Sequence, residues 1–248
     1  MKEQELIYGL HAVTAVLEGG GRVHALWMLD SRHDERLTKV VALAEKAGVK
    51  VLRVPRAELD RITDGARHQG VAAQADGAEL RDEGGLAPLL DRLNGPPFLL
   101  VLDGVQDPHN LGACLRSANA AGVHAVIAPR DRSAGLTAVA RKVASGAAEA
   151  TPFFQVTNLA RTLRELKDRN IWFVGLAGEA EQTLYELDLK GPIAIVMGAE
   201  GEGMRRLTKE HCDFLARIPM SGSVESLNVS VATGIALFEA TRQRALKT

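Results

Sequence analysis

The stretch that most limits what this chain can fold into runs from Ile193 to Ala240. It begins with a continuous apolar run of strand length, IAIVMG, and ends that run in AEGEGM, where Gly198, Gly201 and Gly203 remove side chains at a point of sharp bending or close approach. A second short apolar piece, LARIPM, leads into SGSVESLN and then into the helical pattern VSVATGIALFEA. Two strands that each end in a small or polar turn before a helix predict a ligand crevice at the carboxyl edge of a parallel sheet.

The same grammar extends back to Pro96. PPFLLVLDGV reads as a buried strand, NLGACLRSANAAG as a small-residue helix ended by Gly122, and VHAVIAP as a further strand. LTAVARKVASGAAEA is helical and Ala-rich, NLARTLRELKDRN is an amphipathic helix with Asn158 placed to cap it, and IWFVGLAG is again a strand. Five or more strands separated by helices predict an α/β fold with a mostly parallel sheet. Residues 1–75 alternate in the same way on a smaller scale: GLHAVTAVLEG closes on Gly19 to Gly21, VHALWML and VKVLRV are strands, DERLTKVVALAEKAG stops at Gly48, PRAELDRITD opens on Pro, and HQGVAAQA ends the domain. The segment 76–95 combines acidic charge, a Gly pair and a Pro, and reads as a linker, although its patch PLLDRL also suits the surface of the second domain. The expected organisation is a small α/β domain at 1–75, a linker at 76–95 and a larger domain at 96–248.

Charge narrows the partners. The net charge of -1 gives no overall attraction to nucleic acid, so any RNA contact must be local. The acidic excess sits in the linker, with 2 Lys+Arg against 5 Asp+Glu, while 1–75 and 96–248 stand at 11 against 10 and 17 against 16. The pairs Arg130/Arg132 and Arg141/Lys142 and the trio Arg205/Arg206/Lys209 suit either a phosphate path or solvated helix faces. His68, Gln69 and Gly70 read as a polar turn, with RNA contact as the alternative. No apolar run approaches the roughly 20 residues needed to cross a bilayer, and MKEQELIYG lacks a signal core, so a cytoplasmic protein without a membrane partner is expected. Cys114 and Cys212 stand far apart without a ligand spacing, which points to reduced packed thiols and to no metal site.

Glycines after a strand raise three nucleotide-site patterns, two of which can be set aside on spacing. A P-loop requires Gly-Lys-Ser/Thr, which AEGEGMRR lacks. A dinucleotide fingerprint belongs in the first βα unit with G-x-G-x-x-G spacing, whereas these glycines come near the chain's end as G-x-x-G-x-G. An ordinary Rossmann-type methyltransferase carries its Gly-rich loop early, and the early loop here is GVQDPHNLG. That loop is polar: Asp103, Asp107, His109 and Asn110 precede the helix of Arg116. Asn110 and Arg116 alone also fit a helix cap and a surface cation. Glu200, Glu225, Ser226 and Asn228 add a hydrogen-bonding pocket without a Ser/His/Asp or Cys/His arrangement, which favours positioning over covalent catalysis.

Taken together, DGVQDPHNLGACLRSANAAG, IAIVMGAEGEGM and IPMSGSVESLNVSVATGIALFE resemble the SpoU (TrmH-type) RNA ribose 2'-O-methyltransferases of the SPOUT superfamily. ARKVASGAAEATPF, VTNLARTL and GAEGEGMRRLTKEHCD resemble the branch that methylates a guanosine ribose in 23S rRNA, and residues 1–75 resemble its L30e-like substrate-binding domain. The resemblance implies a C-terminal trefoil knot, a homodimer joined through TGIALFEA, S-adenosylmethionine as methyl donor and 23S rRNA or a large-subunit precursor as substrate. It implies that Gly198 lets the backbone approach the cofactor, and that Ile218 and Leu227 hold the adenine. Glu200, Ser226, Asn228 and Asn110 would order the loops and orient the ribose, and Arg116 would be the catalytic arginine. Another rRNA or tRNA site is the alternative within that chemistry, and a non-catalytic RNA-binding assembly factor is the alternative outside it.

Overall fold

The computed structural model describes residues 4–19, 22–31, 34–76 and 83–245. Gly20 and Gly21, expected to end the first helix, and 77–82 of the expected linker lie outside the described residues. The chain divides into two compact units, Met1–Glu79 with Ser145–Ala150, and Leu80–Ala144 with Thr151–Thr248.

The first unit runs β1 (Gln4–Tyr8), α1 (Leu10–Glu18), β2 (Val23–Leu29), α2 (Glu35–Lys46), β3 (Val51–Val54), α3 (Arg56–Ile62) and β4 (Val71–Asp76). Its sheet has the order β1-β4-β2-β3, with β4 antiparallel to both neighbours and β3 parallel to β2. Leu26 and Met28 of β2, Val13 of α1 and Val40 of α2 are fully buried between sheet and helices. Each such side chain contributes about 1.5–3 kcal/mol of burial. The sequence reading did not include β1: in this edge strand only Ile7 is buried, too little to leave a periodic signal. The His68–Gly70 turn is held within the unit. Gln69, at φ 56°, accepts the Leu10 amide at 3.1 Å, and buried His68 meets Asp60 at 2.9 Å and accepts the Gly70 amide.

The second unit follows as α4 (Leu86–Leu90), β5 (Phe98–Asp103), α5 (Pro108–Ala120), β6 (Ala125–Pro129) and α6 (Ala138–Ala144), and after α7 (Ala147–Ala150), which counts with the first unit, continues with β7 (Phe153–Val156) and α8 (Leu159–Lys167). It ends with β8 (Trp172–Leu176), β9 (Gln182–Thr183), β10 (Ile193–Gly198), α9 (Arg206–His211), β11 (Phe214–Arg217) and α10 (Val229–Ala245). Seven strands stand in the order β7-β6-β5-β10-β8-β11-β9, every neighbouring pair parallel. The expected α/β fold with a mostly parallel sheet is therefore present. All six residues of β5 and the first five of β10 are buried, as a sheet covered on both faces requires. Leu86 and Leu90 of α4 join Leu99, Ile127, Phe154 and Phe173 in one core, so PLLDRL belongs in part to this unit.

Two strands enter late. β10 comes in between β5 and β8, and β11 between β8 and β9, each separating strands that precede it in the chain. The carboxyl ends of β5, β8, β10 and β11 consequently share one edge.

Three local expectations need correction. Helix α5 begins at Pro108 and is capped by Asp107, which accepts the His109 amide at 2.8 Å; Asn110 lies inside its first turn and is no cap. LTAVARKVASGAAEA is two helices, broken where Ser145 and Gly146 take φ of 54° and 92°. Strands β7 and β9 carry only four and two residues and were not distinguishable from loop by pattern.

Candidate active site

Four loops meet at the carboxyl edge, following β5, β8, β10 and β11. The loop after β10 is the tightest. Ala199 and Gly203 exchange two backbone hydrogen bonds of 3.0 Å, and Gly201 and Gly203 supply the left-handed φ values of 80° and 69° that this closed turn needs. The turn folds back onto the end of its own strand: a Cβ at Gly198 would stand 2.1 Å from the Gly203 carbonyl carbon and 2.2 Å from the Met204 amide nitrogen. Gly198 is thus required by the chain's own backbone.

The turn presents Glu200 to two other segments. Glu200 Oε1 accepts Asn110 Nδ2 at 3.0 Å and Asn228 Nδ2 at 2.7 Å, and the Val229 amide reaches it at 3.4 Å. Asn228 Nδ2 also donates to Asn110 Oδ1 at 3.0 Å, closing a triangle of three side chains from three loops. Asn228 Oδ1 meanwhile accepts the Ser230 amide at 2.9 Å, so the same residue caps α10. One carboxylate oxygen thereby ties the start of α5, the turn after β10 and the start of α10 together through charge-assisted bonds.

An ion pair between a buried carboxylate and an exposed guanidinium fixes the far end of the turn. Asp103, the last residue of β5 and the register partner of Gly198, has a fully buried side chain; it accepts the Arg205 amide at 2.8 Å and Arg205 Nε at 2.6 Å. The sequence puts Asp103 at the end of the strand PPFLLVLDGV and in the polar loop that follows, and Arg205 in a basic cluster, without pairing the two. The signal available was a carboxylate closing an otherwise apolar six-residue strand, which demands a partner.

Between the loops after β8, β10 and β11 lies a cleft of about 1240 Å³. Gly198, Glu200, Ile218, Ser226, Leu227 and Asn228 all line it; Asn110 and Arg116 do not. The β8 wall, Ala177 to Glu179, escaped the sequence reading. It is braced by Arg217, which donates to the Ala180 and Glu181 carbonyls, and by Lys209, whose bond to Glu179 holds that carboxyl below the usual range. Ile218, Met220 and Leu227 line the cleft together with Glu202 and Glu225, which make no ion pair among the described residues. Apolar side chains beside carboxylates fit a purine nucleoside that carries positive charge, such as S-adenosylmethionine.

Arg116 lies exposed on α5, six residues beyond Asn110, and its side chain makes no hydrogen bond or ion pair among the described residues. Burial pushes the Cys114 thiol up to about 11 and the Cys212 thiol up to about 12, so both stay protonated and unreactive at neutral pH. Among the described residues no group of three His, Cys, Asp or Glu side chains gathers in a way that could hold a metal ion, and no helix is long and apolar enough to cross a membrane.

A parallel sheet with an open cleft at its carboxyl edge, large enough for a nucleoside cofactor and more, and polar groups arranged for positioning, is the architecture of a group-transfer enzyme of the α/β class. Residues 97–238 match the SpoU rRNA Methylase family, and residues 6–81 match the RNA 2'-O ribose methyltransferase substrate binding family. The chain belongs to the SpoU rRNA methylase family. It is 58% identical over 245 residues to the 23S rRNA (guanosine-2'-O-)-methyltransferase RlmB of Pseudomonas aeruginosa, covering 98% of each chain. It is 58% identical over 241 residues to the protein of the same name in Escherichia coli K12, covering 97% of this chain and 99% of that one. Among solved structures, the AdoMet bound rRNA methyltransferase from Sinorhizobium meliloti superposes with a TM-score of 0.76 at 26% identity, covering 99% of this chain and 88% of that one.

Proposed function

We propose that this chain transfers a methyl group from S-adenosylmethionine to the ribose 2'-oxygen of a guanosine in 23S rRNA, during maturation of the large ribosomal subunit. The observation that carries this reading is the kinship along the whole chain to enzymes of that activity. The Asn110–Glu200–Asn228 triangle supplies the structural support, because it sets three loops beside one cleft.

Gly198, Ile218 and Leu227 would hold the cofactor's adenosine. Bound there, S-adenosylmethionine supplies a methyl group on a positively charged sulfonium, an electrophile that needs alignment more than acid catalysis. Glu200, Asn110 and Asn228 keep the loops in one arrangement, and Ser226, exposed at the cleft, is free to bond the target ribose. A guanidinium is a poor proton acceptor, so the role of Arg116 is to grip the phosphate beside the target nucleotide and favour loss of the 2'-hydroxyl proton, the base being another group.

The same reading extends to the assembly. Domain 1–75 is the L30e-like RNA-binding part and 96–248 the methyltransferase, with Leu86–Leu90 of the expected linker 76–95 packed into the methyltransferase core, and the late entry of β10 and β11 supports a C-terminal trefoil knot. Val231 and Phe238, 51% and 49% exposed at a seven-residue spacing on α10, supply an apolar stripe for a homodimer in the cytoplasm. Incubation with radiolabelled S-adenosylmethionine and undermethylated 23S rRNA tests the activity. Label in 2'-O-methylguanosine supports it; cofactor binding without any 2'-O-methyl product sinks it. Arg116→Ala is expected to reduce transfer to background while cofactor affinity stays near that of the unaltered chain, measured by calorimetry.

A further inference from the structure

Seven cations of the second unit differ in their partners. Arg205 is paired with Asp103, Arg206 with Glu210, Lys209 with Glu179, and Arg217 donates to two backbone carbonyls. Those four are already used within the protein. Arg116, Arg130 and Arg132 are exposed, and none bonds through its side chain to a described residue.

Arg130 and Arg132 sit on the loop after β6, and that loop is held rigidly. The Arg130 amide donates to Val156 O at 2.8 Å, the Ala134 amide to Val105 O at 2.8 Å, and Ser133 Oγ to the same carbonyl at 3.2 Å. Val105 belongs to the loop that leads into Asn110. A side chain added at Gly104 would touch Ala199 Cβ at 3.5 Å and the Arg132 carbonyl at 3.8 Å, so the loops of Arg132 and Glu200 flank one glycine. Arg132 also takes a φ of 55°, a left-handed conformation costly for any residue with a Cβ. Backbone strain of this kind gathers at functional sites. Gly112 and Arg116 share one face of α5, and Gly112 presses against Ala140 and Val143 of α6, the helix that this loop enters.

We propose that Arg130 and Arg132 form a docking site for backbone phosphates of the rRNA strand beside the target nucleotide, continuing the grip assigned to Arg116. The inference rests on the proposed methyl transfer to rRNA. Asp131 lies between the two arginines, leaving the tripeptide one net positive charge, so the site holds a strand already captured elsewhere and contributes little long-range steering. Guanidinium groups on a fixed backbone suit phosphate, because their paired donors match its oxygens.

The double variant Arg130→Gln, Arg132→Gln tests this with protein-free 23S rRNA across a salt series. Two lost contacts to single-stranded RNA should reduce the slope of log affinity against log salt by about 1.4, at roughly 0.7 per phosphate. The KM for RNA should rise about tenfold while kcat at saturating RNA and the affinity for S-adenosylmethionine stay unchanged. Arg132→Gly separates charge from shape, since glycine accepts the left-handed φ: it should melt with the unaltered protein yet reduce the slope by about 0.7, half of the double variant's change. An unchanged slope and KM in the double variant overturns the proposal while leaving the methyltransferase reading intact. A loss seen only on ribosomal particles, and not on protein-free RNA, would identify an acidic protein surface instead and also overturns it. If the unaltered chain methylates no RNA, the proposed function falls, and the salt slope alone then decides whether these arginines bind phosphate.

Discussion

Replacing Gly198 with Ala should disable the site without removing a single polar group. The new Cβ would stand 2.1, 2.2 and 2.5 Å from backbone atoms of Gly203 and Met204, whereas ordinary contact begins at 3.4 Å. Backbone has no rotamer with which to escape, so the turn must withdraw by about 1 Å. Because Ala199 and Gly203 are cross-bonded, the displacement carries Glu200 with it and stretches its 2.7 and 3.0 Å bonds to Asn228 and Asn110. A misplacement of about 1 Å costs on the order of 100-fold in rate. Overpacking of this kind costs about 1–3 kcal/mol, which for a chain of this size lowers the Tm by roughly 2–4 °C per kcal/mol. Initial rates of methyl transfer, cofactor affinity by calorimetry and thermal melting should therefore all move, the rate most. A variant with wild-type rate and affinity would refute the claim that this turn's position sets the site.

Three further outcomes follow from the same geometry. Glu200→Gln keeps one acceptor oxygen for the three donors but removes the negative charge that strengthens those bonds, and should lower transfer by roughly 10- to 100-fold, the equivalent of about 1.5–3 kcal/mol, read as kcat in steady state. Asp103→Ala removes the acceptor of the Arg205 amide and guanidinium and should destabilise by about 1.5–3 kcal/mol, seen as a lower denaturant midpoint at constant slope, with Asp103→Asn milder because it keeps one acceptor. Both thiols should resist iodoacetamide at pH 8; above the ordinary thiol value of about 8.5 the unfolded chain sheds protons that the folded chain retains, so stability should fall as pH rises toward about 11 and 12.

The legible parts of the fold were those with long, uninterrupted patterns. β5 and β10 are buried on both faces and appear as continuous apolar runs, while α8 shows its helical period and its Asn158 cap accepts the Arg161 amide as the pattern predicts. β1 and β9 were illegible because an edge strand or a two-residue strand buries too little to impose a pattern. The break at Ser145–Gly146 was hidden by helix-forming alanines on either side, since intrinsic propensity carries no record of a left-handed turn. In the site, individual polar residues stood out on loops after strands, but their meeting did not. Asn110 lies 90 residues from Glu200 and 118 from Asn228, so only the interleaved strand order brings them together. Resemblance to a family, rather than spacing, pointed to those residues as a group. Asp103 shows the opposite case: its local signal was readable, but its partner Arg205 is 102 residues away and lies in a cluster that also suited phosphate.

The central claim is that this cleft and its polar triangle serve ribose methylation of 23S rRNA. Mass-spectrometric mapping of 23S rRNA from cells that lack the chain, and from the same cells supplied with the unaltered protein or with Arg116→Ala, tests it most directly. One guanosine should lack its 2'-O-methyl group in the first, regain it with the unaltered protein and not regain it with the variant. A full set of 2'-O-methylguanosines in the deleted cells, or a methyl group restored on a base instead of a ribose, would contradict it.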